Sequence, residues 1–126
     1  NIINLVIKNN IGVTCIPGPT AFINALVLSG KPAHEFMFAG FLSNKPGARR
    51  NRLRELAKIK QTIVLYESPH RILATLEDIK TIFGEKEIVV ARELTKKFEE
   101  LRRGRPTDIL EGFKKGRPRG EFAIVI

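Results

Sequence analysis

Tyr66-Glu67-Ser68-Pro69-His70-Arg71 is the stretch on which the fold turns, because it reads as a strand that stops and a helix that starts, with ionisable side chains crowded at the junction. Upstream, Thr62 to Tyr66 (TIVLY) is short, uncharged and rich in β-branched and aromatic residues, the pattern of a buried strand. Downstream, Ser68 suits an N-cap, and Pro69, with its fixed φ and missing N–H, suits the first helical position. Ile72, Leu73, Leu76, Ile79 and Phe83 then recur at helical spacing until Gly84 supplies the stop. Arg71 falls in the first turn of this helix, where a cation opposes the helix dipole, so an anion is expected beside it. Glu67 is the local candidate. Such a corner is either a structural ion pair or part of a ligand site, since open α/β sheets bind ligands at strand ends.

Outward from the corner, strand and helix signals alternate. Ile2, Ile3, Val6 and Ile7 follow helical spacing, with no cap or turn signal before them, as expected of a piece whose preceding part is missing. Gly12 to Ile16 (GVTCI) is expected to be a short buried strand, closed by Pro17-Gly18-Pro19-Thr20, and Thr20 can cap an apolar helix over residues 21–29. Glu35 to Leu42 (EFMFAGFL) reads as a strand with a bulge or close ligand approach at Gly40. A basic helix is expected from about Ala48 to Ile59, with Leu53 and Leu56 on a thin apolar face. Beyond the corner lie a strand at Glu87 to Leu94, a more exposed one at Glu99 to Arg105, and a short helix from Thr107 or Asp108 to Lys115. Asp108 and Glu111 are spaced there as a capping box, and a last strand covers Glu121 to Ile126. The class is therefore α/β, a mixed β-sheet flanked by helices, because the later strands have short connections.

The charge is informative. Lys and Arg total 22 against 13 Asp and Glu, a formal balance of +9, which points to a polyanionic partner, nucleic acid before membrane. One basic cluster holds Lys45, Arg49, Arg50, Arg52, Arg54, Lys58 and Lys60 with Glu55 as its lone acid. A second holds Arg102, Arg103, Arg105, Lys114, Lys115, Arg117 and Arg119, interleaved with acids. Each is either a phosphate-contacting surface or a solvated face. No apolar run reaches the roughly 20 residues that span a bilayer, and neither a membrane segment nor a secretory leader is expected. The single cysteine, Cys15, is expected to be a small core hydrophobe in a reducing, cytoplasmic setting.

No Walker-type glycine loop, no G-x-G-x-x-G opening a helix, no Cys/His set with metal spacing and no serine nucleophile motif beside His34 or His70 is present. Instead, small or polar residues recur at strand ends: Pro17-Gly18-Pro19, Gly40-Phe41, Glu67-Ser68, Ala91-Arg92-Glu93 and Gly120-Glu121-Phe122. Gathered on one edge of the sheet, they would form a cleft suited to a flat, partly apolar cofactor contacted by main-chain groups.

The segments IPGPTA (Ile16 to Ala21), FAGFL (Phe38 to Leu42), YESPHR (Tyr66 to Arg71), ARELTKKFEE (Ala91 to Glu100) and GEFAIVI (Gly120 to Ile126), in this order, resemble the tetrapyrrole methylase superfamily. Within it the chain is most similar to the branch that methylates a cytidine ribose 2′-hydroxyl in 16S ribosomal RNA. The resemblance implies a two-domain enzyme that holds S-adenosylmethionine between its domains and works as a homodimer. Residues 1–17 would then end a truncated N-terminal domain, and residues 18–126 would form the C-terminal methylase domain. The cofactor-facing positions implied are Gly18, Pro19, Thr20, Glu67, Ala91, Gly120, Glu121 and Phe122, with Phe41 nearby. The family's N-terminal glycine-containing cofactor motifs have no counterpart in this sequence. Methyl transfer to a hydroxyl needs positioning and a proton acceptor, either a carboxylate or a lysine of lowered pKa, so Glu67, Glu93 and Lys96 are candidates. Lys45, Arg49, Arg50, Arg52 and Arg54 would meet phosphates of the small ribosomal subunit's RNA. Two other readings remain open: methylation of an acidic tetrapyrrole intermediate, and a non-catalytic RNA-binding module.

Overall fold

The corner divides a strand from a helix near the middle of a computed structural model that describes residues 2–114, 116 and 118–126. Asn1, Lys115 and Arg117 lie outside the described residues, and with them the expected end of the last helix and two cations of the second basic cluster. In chain order the elements are α1 (Ile2–Lys8), α2 (Ala21–Ser29), β1 (Phe36–Phe41), α3 (Pro46–Leu56), β2 (Thr62–Glu67), α4 (Ile72–Phe83), β3 (Ile88–Arg92), β4 (Glu100–Gly104), α5 (Pro106–Lys114) and β5 (Phe122–Val125). The sheet is mixed, in the order β1-β2-β5-β3-β4. β1 and β2 run parallel, and β5 and β4 pair antiparallel to their neighbours.

Strand alternation sorts the core into two layers. Ile63, Leu65, Ile88, Val90, Phe122 and Ile124 face α3, α4 and α5, where Leu53, Leu56, Ile72, Leu76, Ile79, Ile109, Leu110 and Phe113 are buried against them. Val64, Val89, Ala91, Ala123 and Val125 face the other way, onto Ala25 and Leu26 of α2. Each fully buried Leu or Ile contributes about 1.5–3 kcal/mol relative to exposure, so the three-helix layer dominates the stability of this unit. The expected irregularity at Gly40 is present: pairing with β2 slips between Phe38 and Gly40, and Gly40 adopts φ 63°.

Several local expectations are corrected. Gly12 to Ile16 forms no strand, and Cys15 is exposed rather than buried, because no partner strand stands beside this apolar run among the described residues. Helix α4 starts at Ile72, not at Ser68-Pro69. The Ser68 carbonyl accepts the N–H groups of Arg71 (3.1 Å) and Ile72 (3.0 Å), which makes a turn before the helix. Thr20 sits at the N-cap of α2 without a side-chain cap bond. Asp108 lies inside the first turn of α5 and pairs with Arg105 at 3.0 Å, so it does not open a capping box. Helix α2, whose apolar residues on nearly every side predict burial between layers or at an interface, buries Ala25, Leu26 and Ser29 in this unit and leaves Ile23, Val27 and Leu28 exposed.

Candidate functional site

Because β1, β2 and β3 end on the edge of the sheet where β5 begins, Phe41, Glu67, Arg92 and Phe122 are brought to one rim. Tyr66 stands opposite Phe41 and Ala123, and Arg92 opposite Phe122. On the α2 side of this rim lies a cavity of about 250 Å³ lined by Ala21, Phe41, Tyr66, Glu67, Ala91, Leu94, Glu121, Phe122 and Ala123. Its floor exists because Ala91 and Ala123 are direct cross-strand partners, and larger side chains at that pair would fill it. Tyr66 fixes the adjoining helix. Its hydroxyl accepts the Phe22 N–H at 2.9 Å, satisfying a first-turn donor of α2, while its ring meets Phe38 and Phe41 at 5.0 and 5.5 Å between centroids.

Five of the residues expected to face a cofactor therefore line one cavity: Phe41, Glu67, Ala91, Glu121 and Phe122. Gly18, Pro19 and Thr20 are exposed in the segment that enters α2, next to the lining residue Ala21 but not in the wall. Gly120 lines an adjoining cavity with Arg92, Glu93, Phe98 and Arg119. Tyr66, Leu94, Ala21 and Ala123 escaped the sequence reading. The signal for Ala123 was available, since it alternates with Phe122 and Ile124 on a strand already identified.

The three candidate proton acceptors differ in environment. The Glu67 carboxylate is enclosed, with its Oε1 accepting from Ser68 N–H at 2.7 Å and Arg71 at 2.9 Å and its Oε2 accepting from the Thr75 hydroxyl at 2.6 Å. The anion expected beside Arg71 is thus Glu67. This environment makes Glu67 a lock for the corner, and Arg71 extends the lock by donating to the Leu42 carbonyl at 3.1 Å. Glu93 and Lys96 lie on the loop after β3, where Glu93 and Thr95 adopt φ of 49° and 65°, left-handed values that cost energy for residues other than glycine. Glu93 Oε1 accepts from the Glu121 N–H at 2.9 Å and from Lys96 Nζ at 3.1 Å, and Lys96 reaches Glu121 Oε2 at 3.0 Å. The Glu121 N–H and then Lys96 hold the Glu93 carboxyl below its ordinary range. The hydrogen bonds from Lys96 to Glu121 and Glu93 raise the Lys96 ammonium above its ordinary value, the opposite direction from that a lysine base requires. Gly120 closes the cluster with φ 89°, and a Cβ there would run into the Glu93 side chain.

The basic helix α3 is split by burial. Lys45, Arg50, Arg52 and Arg54 are exposed, as a phosphate-contacting surface requires. Arg49 is not: it is buried and pairs with Asp78 of α4 at 2.7 Å, which corrects its assignment to that surface. The spacing of Arg49, Leu53 and Leu56 at i, i+4 and i+7 places all three on one helix face, and the inward face of a thinly apolar helix takes the cation with it. Neither histidine reaches the site: His34 and His70 are both exposed and absent from the cavity wall.

The sequence profile of the Tetrapyrrole (Corrin/Porphyrin) Methylases matches residues 2–109. The chain is 48% identical over 118 residues to the ribosomal RNA small subunit methyltransferase I of Synechocystis sp., covering 93% of this chain and 42% of that protein. It is 40% identical over 119 residues to the protein of the same name from Thermotoga maritima, covering 94% and 53% respectively. The chain thus spans about half the length of the curated relatives it matches. Among solved structures, the methyltransferase CobJ superimposes with a TM-score of 0.67 at 18% identity, over 98% of this chain and 56% of that one. Uroporphyrin-III C-methyltransferase from Thermus thermophilus, complexed with S-adenosyl homocysteine, gives 0.60 at 19% identity, over 98% and 56%. These structural likenesses establish the fold.

Proposed function

The chain belongs to the tetrapyrrole (corrin/porphyrin) methylase family, and from that premise we propose that it is part of an S-adenosylmethionine-dependent methyltransferase whose substrate is the 2′-hydroxyl of a cytidine ribose in small-subunit ribosomal RNA. The observation that carries this reading is the 48% identity, across nearly the whole chain, to a protein named for that RNA. The exposed cations Lys45, Arg50, Arg52 and Arg54 support it, since phosphate contacts supply a large share of the affinity for nucleic acid.

The cavity fits part of such a cofactor. Its floor of two alanines admits a flat group close to the sheet, Phe41 and Leu94 supply apolar walls, and Glu121, exposed at the rim, offers a carboxylate to hydroxyl or amine donors. At about 250 Å³ it encloses only a portion of a molecule that size, in keeping with a cofactor shared between two domains. Gly18, Pro19 and Thr20 belong to the same proposal as a rim at the start of α2, with residues 18–126 as the C-terminal domain. The exposure of every residue from Gly12 to Thr20 is consistent with that boundary. Homodimer formation also belongs to the reading, supported by exposed Phe36, Met37 and Phe38 on the edge strand β1.

When bound, the cofactor supplies a methyl group on a sulfonium. The protein's task is to place the ribose hydroxyl in line with it and take up the hydroxyl proton. We assign Glu93 to that second role on geometry: its Oε2 carries no hydrogen bond among the described residues, while the contacts on Oε1 that keep it ionised also lower its basicity. Lys96 then holds Glu93 in place, and Glu67 holds the corner.

Incubating the full-length protein with methyl-labelled S-adenosylmethionine, and offering unmethylated small ribosomal subunits and a precorrin-type tetrapyrrole in parallel, tests this function. Label in the RNA is expected. Label in the tetrapyrrole alone would overturn the RNA assignment, and RNA binding without transfer to either would favour a non-catalytic module.

A further inference from the structure

Phe98 is 66% exposed, stands in the loop between β3 and β4, and packs into neither core layer nor against another aromatic ring among the described residues. A lone exposed aromatic is ordinary on a protein surface; Phe98 stands apart because it shares a cavity wall with Arg92 and Arg119 on a loop that is held in place. That loop is fastened at both ends. The Thr95 N–H donates to the Glu99 carboxylate at 2.6 Å, the Lys96 and Glu99 N–H groups return to the Glu93 and Lys96 carbonyls, and Lys96 bridges Glu93 and Glu121. Lys97 Nζ lies 5.7 Å from the Phe98 ring centroid. The ring borders a cavity of about 290 Å³ together with Arg92, Glu93, Arg119 and Gly120, next in sequence to Glu121 of the proposed cofactor cavity. Arg92 is already engaged by the Arg119 carbonyl and by Glu100, whereas the exposed Arg119 guanidinium makes no bond to the described residues.

We propose that Phe98 and Arg119 form the seat of an unpaired nucleotide next to the methylated one: the base stacks on the Phe98 ring and its phosphate meets Arg119. The inference rests on the RNA function proposed for the site. The chemistry matches how single-stranded RNA is held, by aromatic faces that accept any base and by cations that follow the backbone. It also gives the left-handed Glu93 and Thr95 a purpose, since they turn the chain so that the proton acceptor candidate and the stacking ring stand on the same short loop. The seat orients RNA and takes no part in bond making.

Full-length protein carrying F98W supplies the test, because this chain contains no tryptophan of its own. Its emission, measured as the difference from the unsubstituted protein, is expected to be quenched on titration with small-subunit RNA. In steady-state methyl transfer F98A should raise KM for RNA roughly tenfold to a hundredfold, the range expected for one stacked base, with KM for S-adenosylmethionine unchanged and with F98W and F98Y restoring the value. R119Q should raise the same KM and lessen its salt dependence. Unquenched F98W emission under saturating RNA, with an unaltered KM in F98A, overturns the seat while methylation of RNA by the unsubstituted protein leaves the function standing. If the unsubstituted protein neither binds nor methylates RNA, the function falls and the seat falls with it.

Discussion

Glu67 and Arg71 meet at 2.9 Å across the turn between β2 and α4, and the carboxylate of the pair is fully enclosed while the guanidinium keeps partial access to water. A charge so buried is tolerable only when matched, and the Ser68 N–H and Thr75 hydroxyl complete the match. The pair therefore fixes the rim on which the cavity residues stand.

Removing one partner should expose this dependence. R71A leaves the carboxylate with two donors, and we expect a loss of about 2–4 kcal/mol in urea unfolding, below the upper end for a wholly buried pair because Arg71 is partly solvated. T75V, which removes one donor, should cost about 1–3 kcal/mol. If E67Q folds with near-normal stability yet abolishes methyl transfer, Glu67 acts chemically and the locking role assigned to it is incomplete.

The two kinds of arginine on α3 should separate cleanly. R49A removes the main partner of Asp78, which is partly solvated and keeps Arg50 at 3.8 Å, so stability should fall by about 1–3 kcal/mol, less than for a wholly buried pair, with little change in the salt slope of RNA binding. A combined R50Q/R52Q/R54Q substitution should do the reverse. Stability should stay within about 1 kcal/mol, while the slope of log K against log salt becomes shallower by roughly 2–3, about one for each phosphate no longer neutralised.

How much of this was legible in the sequence follows from what each signal depends on. The β2–α4 corner was readable because period-2 and period-3.6 patterns are local, the bulge because a glycine interrupts a strand pattern, and the mixed sheet because the later strands are joined by short connections. GVTCI misled because a β-rich run becomes a strand only beside a partner, and helix caps misled because a turn such as Ser68 to Arg71 can intervene before the first helical residue. Five cavity residues lie among the small and polar strand ends, and it was the family resemblance that singled them out as facing a cofactor. The use of Tyr66 as a cap for α2, 44 positions away in sequence, depended on packing that no local pattern encodes.

The pH response of the loop after β3 follows from two shifts. The Glu93 pKa is lowered by the Glu121 N–H and Lys96, so its contribution is present above the unfolded carboxylate pKa and is lost as pH falls through the lower folded value. The Lys96 pKa is raised by Glu121 and Glu93, so its contribution is complete below the unfolded lysine pKa and is lost as pH rises through the higher folded value. Amide exchange at Glu121 should therefore stay protected across the neutral range and open only in acid below the usual carboxylate range or in strong alkali. Opening near pH 7 would contradict the clamp.

G120A tests the same cluster by shape. The residue sits at φ 89°, and its new Cβ would strike Glu93. A loss of about 1–2 kcal/mol is expected from the backbone alone. Methyl transfer should fall further than stability does, read as kcat at a temperature where the variant remains folded.

The most direct test of the central claim is a crystal structure of the full-length protein with S-adenosylhomocysteine. The predicted result is density for the ligand in the cavity floored by Ala91 and Ala123, against Phe41 and Leu94 and within reach of Glu121. Density elsewhere, with this cavity left to solvent at saturating ligand, would contradict it.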